Sequence, residues 1–350
     1  MKKKAASTKK RVVVAMSGGV DSSVAAALLK EQGYDVIGVT MRLWGESGSG
    51  CCSLSAVEDA RRVANQLGIP YYVLNFREVF KKTVIDDFIR EYNQGRTPNP
   101  CVRCNEKVKF NALLKKAGSL GADYLATGHY ARIGKNKDGR YCIMKGKDPK
   151  KDQSYFLYPL SQEALSKAIF PVGSMTKAEV RKMAKKIGLK VADKKESQEI
   201  CFVEGSYKGL FKPVEGNIVD KKGKILGKHK GYQLYTIGQR RGLGLSNPEP
   251  LYVVKINPKT NEITIGNKGD VYGDDLFAGK LNYMKVDEIS RPIYAQAKIR
   301  YNSPQADAKI LPLSQGKLRV MFKKPQFAIT PGQSVVFYKG DNVVGGGIIQ

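Results

Sequence analysis

The chain is 350 residues long, 42% apolar by composition, and carries 60 basic against 32 acidic side chains, a formal net charge of +28. That length exceeds what one small core serves and predicts two or three domains. No apolar run approaches the ~20 residues that span a bilayer, which excludes a helical membrane protein, and positive charge in excess along the whole chain suits a polyanion, nucleic acid first, or a lysine-rich composition in which the charges are simply solvated.

Residues 1–11 are basic without an apolar stretch, so they read as a frayed tail and not as a secretory signal. RVVVAMSGGVDSS follows, starting at Arg11. Its three valines predict a strand buried on both faces. Ser17, Gly18 and Gly19 break the strand, Asp21 and Ser22 offer a helix cap, and VAAALLK supplies helix formers up to Gly33. A loop of this kind, at a helix N-terminus, favours a phosphate through unpaired N–H groups and the helix dipole. It is not a Walker A loop, because no lysine follows the last glycine. SGGVDSS resembles instead the PP-loop of the ATP pyrophosphatase superfamily, whose members split ATP to AMP and pyrophosphate.

Strands are expected over residues 34–41, 71–74 and 124–127, and helices over 56–67, 80–92 and 110–118. Residues 44–50 read as a loop ahead of Cys51 and Cys52, and 95–104 as irregular, because two prolines stand two residues apart. Strands alternating with helices predict an α/β domain with a parallel sheet, its ligand at the carboxyl ends of the strands. A helix over 177–187 closes this part. From about residue 206 glycines become frequent, strands short and helical periods absent. The expected domains are 1–205, 206–275 and 276–350.

The six cysteines, at 51, 52, 101, 104, 142 and 201, are expected to be reduced without an export signal. TPNPCVRCN places Cys101 and Cys104 three apart and reads as a redox pair, half a zinc knuckle, or a nucleophile at Cys104 in a pocket shaped by Asn99, Pro100 and Cys101. Cys201, in SQEICFV, reads on propensity as a buried core cysteine. His129, in TGHYAR, is a base, an RNA contact or a satisfied polar residue. Lys151, Asp152 and Gln153 precede an aromatic run, as a base-binding patch or as a solvated turn before a core strand. Arg240 and Arg241 stand among glycines in YTIGQRRGLG, which suits a phosphate backbone. Arg300 and Tyr301 offer a charge and a stacking face, and Gln333 reaches RNA or caps a turn.

In this order SGGVDSS, TPNPCVRCN, ATGHYAR, KDQSYFLY, SQEICFV, TIGQRRG, IRY and PGQSVVFY resemble the tRNA-specific 2-thiouridylases, the MnmA/TrmU family, across nearly the whole chain. The resemblance implies a PP-loop (adenine nucleotide α-hydrolase-like) α/β domain, a small central β domain and a C-terminal β-barrel. It implies that Ala15, Met16, Ser17, Gly18, Gly19, Val20, Asp21 and Ser22 bind ATP, with Met41 and Gly128 framing the adenosine and Mg²⁺ on the triphosphate near Asp21. It makes Cys104 the nucleophile and Cys201 the persulfide carrier, with Gly205 and Ser206 giving Cys201 room to move. Asn99, Pro100 and Cys101 would meet the target base; some members carry Asp where Cys101 stands, so the role given to that Asp falls here to a thiol or a water. Lys151, Asp152, Gln153, His129, Arg300, Tyr301 and Gln333 would contact tRNA at its anticodon stem-loop. A cytoplasmic enzyme fed by a cysteine desulfurase or sulfur-relay protein is the expectation. Against it stand a PP-loop enzyme acting on cytidine and a non-enzymatic or zinc-stabilised RNA-binding protein.

Overall fold

The computed structural model describes residues 9–44, 53–194, 201–202 and 207–350. Cys51, Cys52, Gly205, Ser206 and most of the loop expected over 44–50 lie outside them, as does all of SQEICFV except Cys201 and Phe202. The chain divides into two units, Met1–Thr83 with Arg103–Glu204 and Val84–Val102 with Gly205–Gln350.

The first unit opens with β1 (Arg11–Ala15), α1 (Val20–Glu31), β2 (Asp35–Arg42), α2 (Leu54–Gln66), β3 (Tyr71–Asn75) and α3 (Arg77–Phe80). Val12, Val13 and Val14 are fully buried, as expected of a strand covered on both faces. A π-helical turn (Lys81–Ile85) and α4 (Asp86–Asn93) carry the chain into the second unit. It returns through α5 (Pro100–Arg103), which continues as a π-helical stretch (Cys104–Leu113) and α6 (Leu114–Ser119). Residues 100–104 are therefore helical where irregular chain was expected, and the helix expected from 110 starts ten residues earlier. Pro100 is the reason: at the first helical position its missing N–H bonds nothing and its fixed φ suits a helix.

The remaining elements of this unit are β4 (Tyr124–Thr127), the hairpin β5 (Ala131–Lys135) and β6 (Tyr141–Lys145), α7 (Gln162–Ser166), β7 (Ala168–Ile169) and α8 (Lys177–Lys186). Among the described residues the sheet runs β3-β2-β1-β4-β7, parallel throughout. The aromatic run after Gln153 is a 3-10 turn (Ser154–Leu157) and not a strand; Tyr155 and Tyr158 are nonetheless core residues. Val24 and Leu29 of α1 pack with Val180 and Ala184 of α8, each such burial contributing roughly 1.5–3 kcal/mol.

In the second unit β8 (Gly216–Val219), β9 (Ile225–His229), β10 (Tyr252–Asn257) and β11 (Glu262–Gly266) form a sheet ordered β10-β11-β8-β9. Then β12 (Tyr272–Tyr283), β13 (Ile293–Lys298), β14 (Ala306–Leu313), β15 (Lys317–Phe327), β16 (Ser334–Lys339) and β17 (Asn342–Ile349) pair in the order β12-β15-β14-β13-β16-β17. Antiparallel pairing of β12 with β17 closes the barrel. Its strands are not uniformly short: β12 has 12 residues and β15 has 11. Leu276, Ile310, Val320, Val335 and Phe337 fill its interior, as alternation in a small closed barrel requires.

Candidate active site

The strand order reverses between β1 and β4, and open α/β sheets bind ligands beside such a reversal. Ala15 ends β1; Met16, Ser17, Gly18 and Gly19 form the loop; Val20 starts α1. Met41 lies near the end of β2 and Gly128 just past β4. The loop is held by its own serines. Ser17 N–H donates to Ser22 Oγ at 3.2 Å, and Ser22 and Ser23 hydroxyls donate to Gly19 O at 3.1 and 2.9 Å. The helix cap therefore differs from the expected one. Gly19 is the N-cap and no side chain caps it, while Asp21 and Ser22 are already helical. No side chain therefore covers the first turn of α1, an arrangement that suits an anion.

Two glycines are required by space. Gly18 has φ +69°, and a Cβ there would stand 2.2 Å from Ala56 O. A Cβ on Gly128 would stand 2.7 Å from Ser22 N, so β4 meets the first turn of α1 backbone to backbone.

A polar chain runs from this loop to the KDQ segment. Lys177 Nζ lies 2.7 and 2.8 Å from the two carboxylate oxygens of Asp21, and Tyr130 O–H donates to Asp21 Oδ1 at 2.6 Å. Gln153 Oε1 accepts from Tyr130 N at 3.0 Å. Asp152 accepts from Gly146 N, Ser154 N and Ser154 Oγ. Asp152 and Gln153 thus brace the turn next to the loop, and Lys151 precedes them there, its N–H on Asp148 O. Lys194 Nζ touches Gly18 O at 3.2 Å and Asp59 Oδ2 at 2.6 Å. Sequence reasoning singled out none of Tyr130, Lys177 or Lys194: their roles come from contacts across more than a hundred positions. Tyr130 did stand inside TGHYAR; Lys177 had no local signal.

His129 is buried, its Nδ1 2.7 Å from Thr127 Oγ1 and its ring near Phe110 and Phe170. Burial holds its pKa well below the ordinary imidazole value, with Lys109 adding to the effect. The geometry is that of a satisfied polar residue at a strand end.

Cys104 is the first residue of the π-helical stretch and is 7% exposed. Asn99 Oδ1 accepts from the N–H groups of Cys101 and Val102, so Asn99 caps the helix that Pro100 starts. Cys101 is exposed. Cys201 is half-buried, short of the core position its neighbours suggest; Phe202 beside it stacks edge-on against Phe80 at 5.6 Å. Phe80 ends α3, which packs on the helix that Cys104 begins. Among the described cysteines Cys104 and Cys142 are buried, Cys201 is half-buried and Cys101 is exposed. Among the described residues no three His, Cys, Asp or Glu side chains converge as metal ligands.

The second unit holds the other expected contacts. Gln333 Nε2 donates to Thr97 O at 2.8 Å and Pro98 O at 3.3 Å. Thr97 N donates to Pro331 O, and Arg96 to Ile349 O. A Cβ on Gly332, where φ is +91°, would stand 2.9 Å from Thr97 N. The residues leading into Asn99 are thus laid along the barrel's 331–333 turn. The Arg300 guanidinium donates to Ala328 O and to Thr330 Oγ1, and Gln333 N donates to Thr330 O, so both residues converge on Thr330. Lys298 Nζ sits over the Tyr301 ring at 5.3 Å.

Three family profiles tile the chain: a tRNA methyl transferase HUP domain over residues 10–205, a tRNA methyl transferase PRC-barrel domain over 207–267, and an aminomethyltransferase β-barrel domain over 273–349. A tRNA-specific 2-thiouridylase MnmA of Clostridium botulinum (strain Eklund 17B / Type B) is 54% identical over 347 residues, covering 95% of this chain and 96% of its own. The protein of that name from Carboxydothermus hydrogenoformans is 54% identical over 349 residues, with the same coverage. Among solved structures, the U34-tRNA thiolase NcsA from Methanococcus maripaludis superposes at a TM-score of 0.37 with 22% identity over 55% of this chain and 61% of that one, a likeness too loose to bear on function. With profiles over nearly its whole length and relatives of this identity and coverage, the chain belongs to the MnmA family of tRNA-specific 2-thiouridylases.

Proposed function

We propose that the protein is an ATP-dependent tRNA-uridine 2-sulfurtransferase that replaces the position-2 oxygen of the wobble uridine by sulfur and releases AMP and pyrophosphate. The observation that carries the reading is an intact phosphate loop at the β1–β4 reversal, in the same unit as a buried thiol near the start of a helix. Two profile descriptions speak of methyl transfer, but a phosphate loop without a Walker lysine and a buried cysteine in the same unit suit adenylation and sulfur transfer better.

The chemistry follows from leaving-group ability. The uracil oxygen attacks the α-phosphorus of ATP and expels pyrophosphate, which turns a poor leaving group into AMP. The terminal sulfur of a Cys201 persulfide attacks the activated carbon, and AMP leaves. The Cys104 thiolate then attacks the Cys201 sulfur, which frees 2-thiouridine and leaves a Cys104–Cys201 disulfide for a thiol reductant to reopen. A bridge needs α-carbons within about 7 Å; the contact of Phe202 with Phe80, on a helix packed against that of Cys104, supports such an approach. ATP is assigned to the loop residues Ala15 to Ser22, with Met41 and Gly128 beside the adenosine. Asp21 has its carboxylate on Lys177, so the loop presents donors for an anion. Mg²⁺ would be held beside the Asp21 carboxylate and would neutralise part of the triphosphate charge.

Asn99, Pro100 and Cys101 are proposed to lie at the target base, which must leave its stack for the reaction. Lys151, Arg300 and Tyr301 are proposed as tRNA contacts, with Asp152, Gln153, His129 and Gln333 shaping the surfaces that carry them. A cysteine desulfurase or sulfur-relay protein supplies the persulfide, and the cytoplasm, where thiols stay reduced, is the setting proposed. The division at 205/206 is likewise a proposal, supported by the profile limits; a second division is proposed between the central and C-terminal β domains, at 275/276 by sequence, although the third profile starts at 273 and β12 at Tyr272.

Purified protein given persulfide, ATP and unmodified tRNA should form AMP and pyrophosphate only when tRNA is present, and nucleoside mass spectrometry should find 2-thiouridine. ADP as the main product would sink the reading. Cys104→Ser and Cys201→Ser should each abolish thiolation while sparing ATP and tRNA binding, and Cys101→Ser should do far less. Peptide mapping after one turnover without reductant should find the Cys104–Cys201 bridge; a Cys101–Cys104 bridge with an active Cys201→Ser variant would replace this relay with a CxxC dithiol.

A further inference from the structure

The outer wall of the barrel carries a groove of about 680 Å³. Strand register sets its walls. Tyr294 of β13 stands opposite Lys309 of β14, and Lys309 opposite Met321 of β15, so the three form one row across the sheet. Their strand neighbours Ala308, Ile310 and Phe322 belong to the barrel core, and alternation turns this row to the outside. Gln296 stands opposite Asp307 on one side and Tyr338 of β16 on the other, which makes a second row. Tyr338, fully buried, also lines the groove.

Tyr294 is 75% exposed and Met321 38%, an aromatic ring and a thioether left in water beside a concavity. Lys309 Nζ lies 5.9 Å from the Tyr294 ring centroid, and Lys323 and Lys339 complete a basic rim. Among the described residues none of these three lysines makes an ion pair, and the carboxylate lining the groove, Asp307, accepts from Gln296 Nε2 at 3.4 Å. Exposed tyrosine and methionine around a concavity are the composition of protein-binding surfaces. Three unpaired ammonium groups against one carboxylate ask for an acidic partner. A second copy of this chain, at +28, is disfavoured by repulsion. An RNA strand would meet the lysines equally well but has no apolar side chain to bury against Met321. The candidate tRNA contacts Arg300 and Tyr301 lie past the other end of β13, about 20 Å along the strand direction from Tyr294, which leaves the groove to another partner.

We propose that this groove is the docking site of the protein that supplies the persulfide, and that the donor presents to it an acidic segment with an apolar or aromatic side chain at its centre. The inference rests on the reading of the chain as a sulfurtransferase fed by a protein persulfide. Docking holds the donor while the Cys201 thiolate attacks the terminal sulfur of the donor's persulfide. The donor's S–S bond breaks, the new S–S bond forms on Cys201, and the donor leaves as a thiolate.

Thiolation of unmodified tRNA by the full-length protein, measured with two sulfur sources, tests the assignment. One source is a purified cysteine desulfurase with L-cysteine; the other is glutathione persulfide, which needs no docking surface. Tyr294→Ala should raise the desulfurase concentration at half-maximal rate about tenfold, the loss typical of an interface anchor, and the pair Lys309→Glu with Lys323→Glu should raise it further. Tyr294→Phe should stay near wild type. With glutathione persulfide every variant should match the wild-type rate within about twofold, and tRNA affinity should hold to the same degree, because the exposed groove is remote from both events. Equal slowing with both sources would overturn the proposal; accompanied by weaker tRNA binding, it would mark the groove as an RNA surface. An unaltered response to desulfurase in Tyr294→Ala and in the lysine pair would overturn it too, as would a wild-type rate that does not depend on desulfurase concentration. Wild-type protein that forms no 2-thiouridine from either source would sink the sulfurtransferase reading itself.

Discussion

The ring of His129 has Nδ1 against the Thr127 hydroxyl and aromatic neighbours in Phe110 and Phe170, so protonating it means placing a charge in a dry site. Its folded pKa is pushed down by that burial, and His229 is shifted in the same direction by its own burial. For a depressed base the unfolded chain binds the extra proton first. Stability is therefore fully present above the unfolded value near 6.5 and is lost as pH falls below it. Thermal melts should show the midpoint dropping between about pH 7 and pH 5, at a slope of at most about 1.4 kcal/mol per pH unit for each histidine. His129→Gln should flatten part of that dependence. A midpoint rising through the same window would show that His129 gains its proton in the folded state, as a base poised for catalysis would. At this scale the sequence was readable where function follows from neighbours along the chain, as in SGGVDSS. It was silent on Lys177, which meets Asp21 across 156 positions.

The helix that opens at Pro100 shows how one element can be misread and still carry the expected residues. Two prolines in TPNP read as breakers, yet only Pro98 precedes the helix, and Asn99 followed by Pro100 is an N-cap with proline at the first helical position. The N-cap signal is local and lies in the sequence itself. What no local pattern could show is the anchoring of this stretch, since Gln333 reaches Thr97 and Pro98 from the barrel. These hydrogen bonds are what a positioning residue would make. Gln333→Ala removes two hydrogen bonds, costing about 1 kcal/mol each of local stability. It should lower the thiolation rate about tenfold through misplacement of the segment leading into Asn99, with ATP affinity unchanged. Gln333→Glu should do worse, because a carboxylate would face two carbonyl oxygens. Were Gln333 instead a direct tRNA contact, tRNA affinity would fall and the rate at saturating tRNA would hold, so single-turnover kinetics at saturating tRNA decide between them.

For the whole molecule, the parallel sheet was legible because buried valine runs and glycine-stopped helices alternate along residues 11–127. The closed barrel was legible only through family resemblance, since its closure pairs β12 with β17 across some seventy positions. Charge is the whole-molecule property that the fold does not explain. A formal +28 is more than loop or ion pairs require, and the pairs present are mostly exposed, where each contributes little. A tRNA partner accounts for it. If about five phosphates are contacted, counterion release gives a log–log slope between about −3.5 and −4.5, so affinity should fall roughly 100- to 500-fold between about 50 and 200 mM salt. Filter binding with an anticodon stem-loop across that range measures it, and buffers of constant pH keep the histidine effect separate. A slope near zero would leave the lysines merely solvated, and the recognition of tRNA would then have to rest on neutral contacts and stacking at residues such as Tyr301.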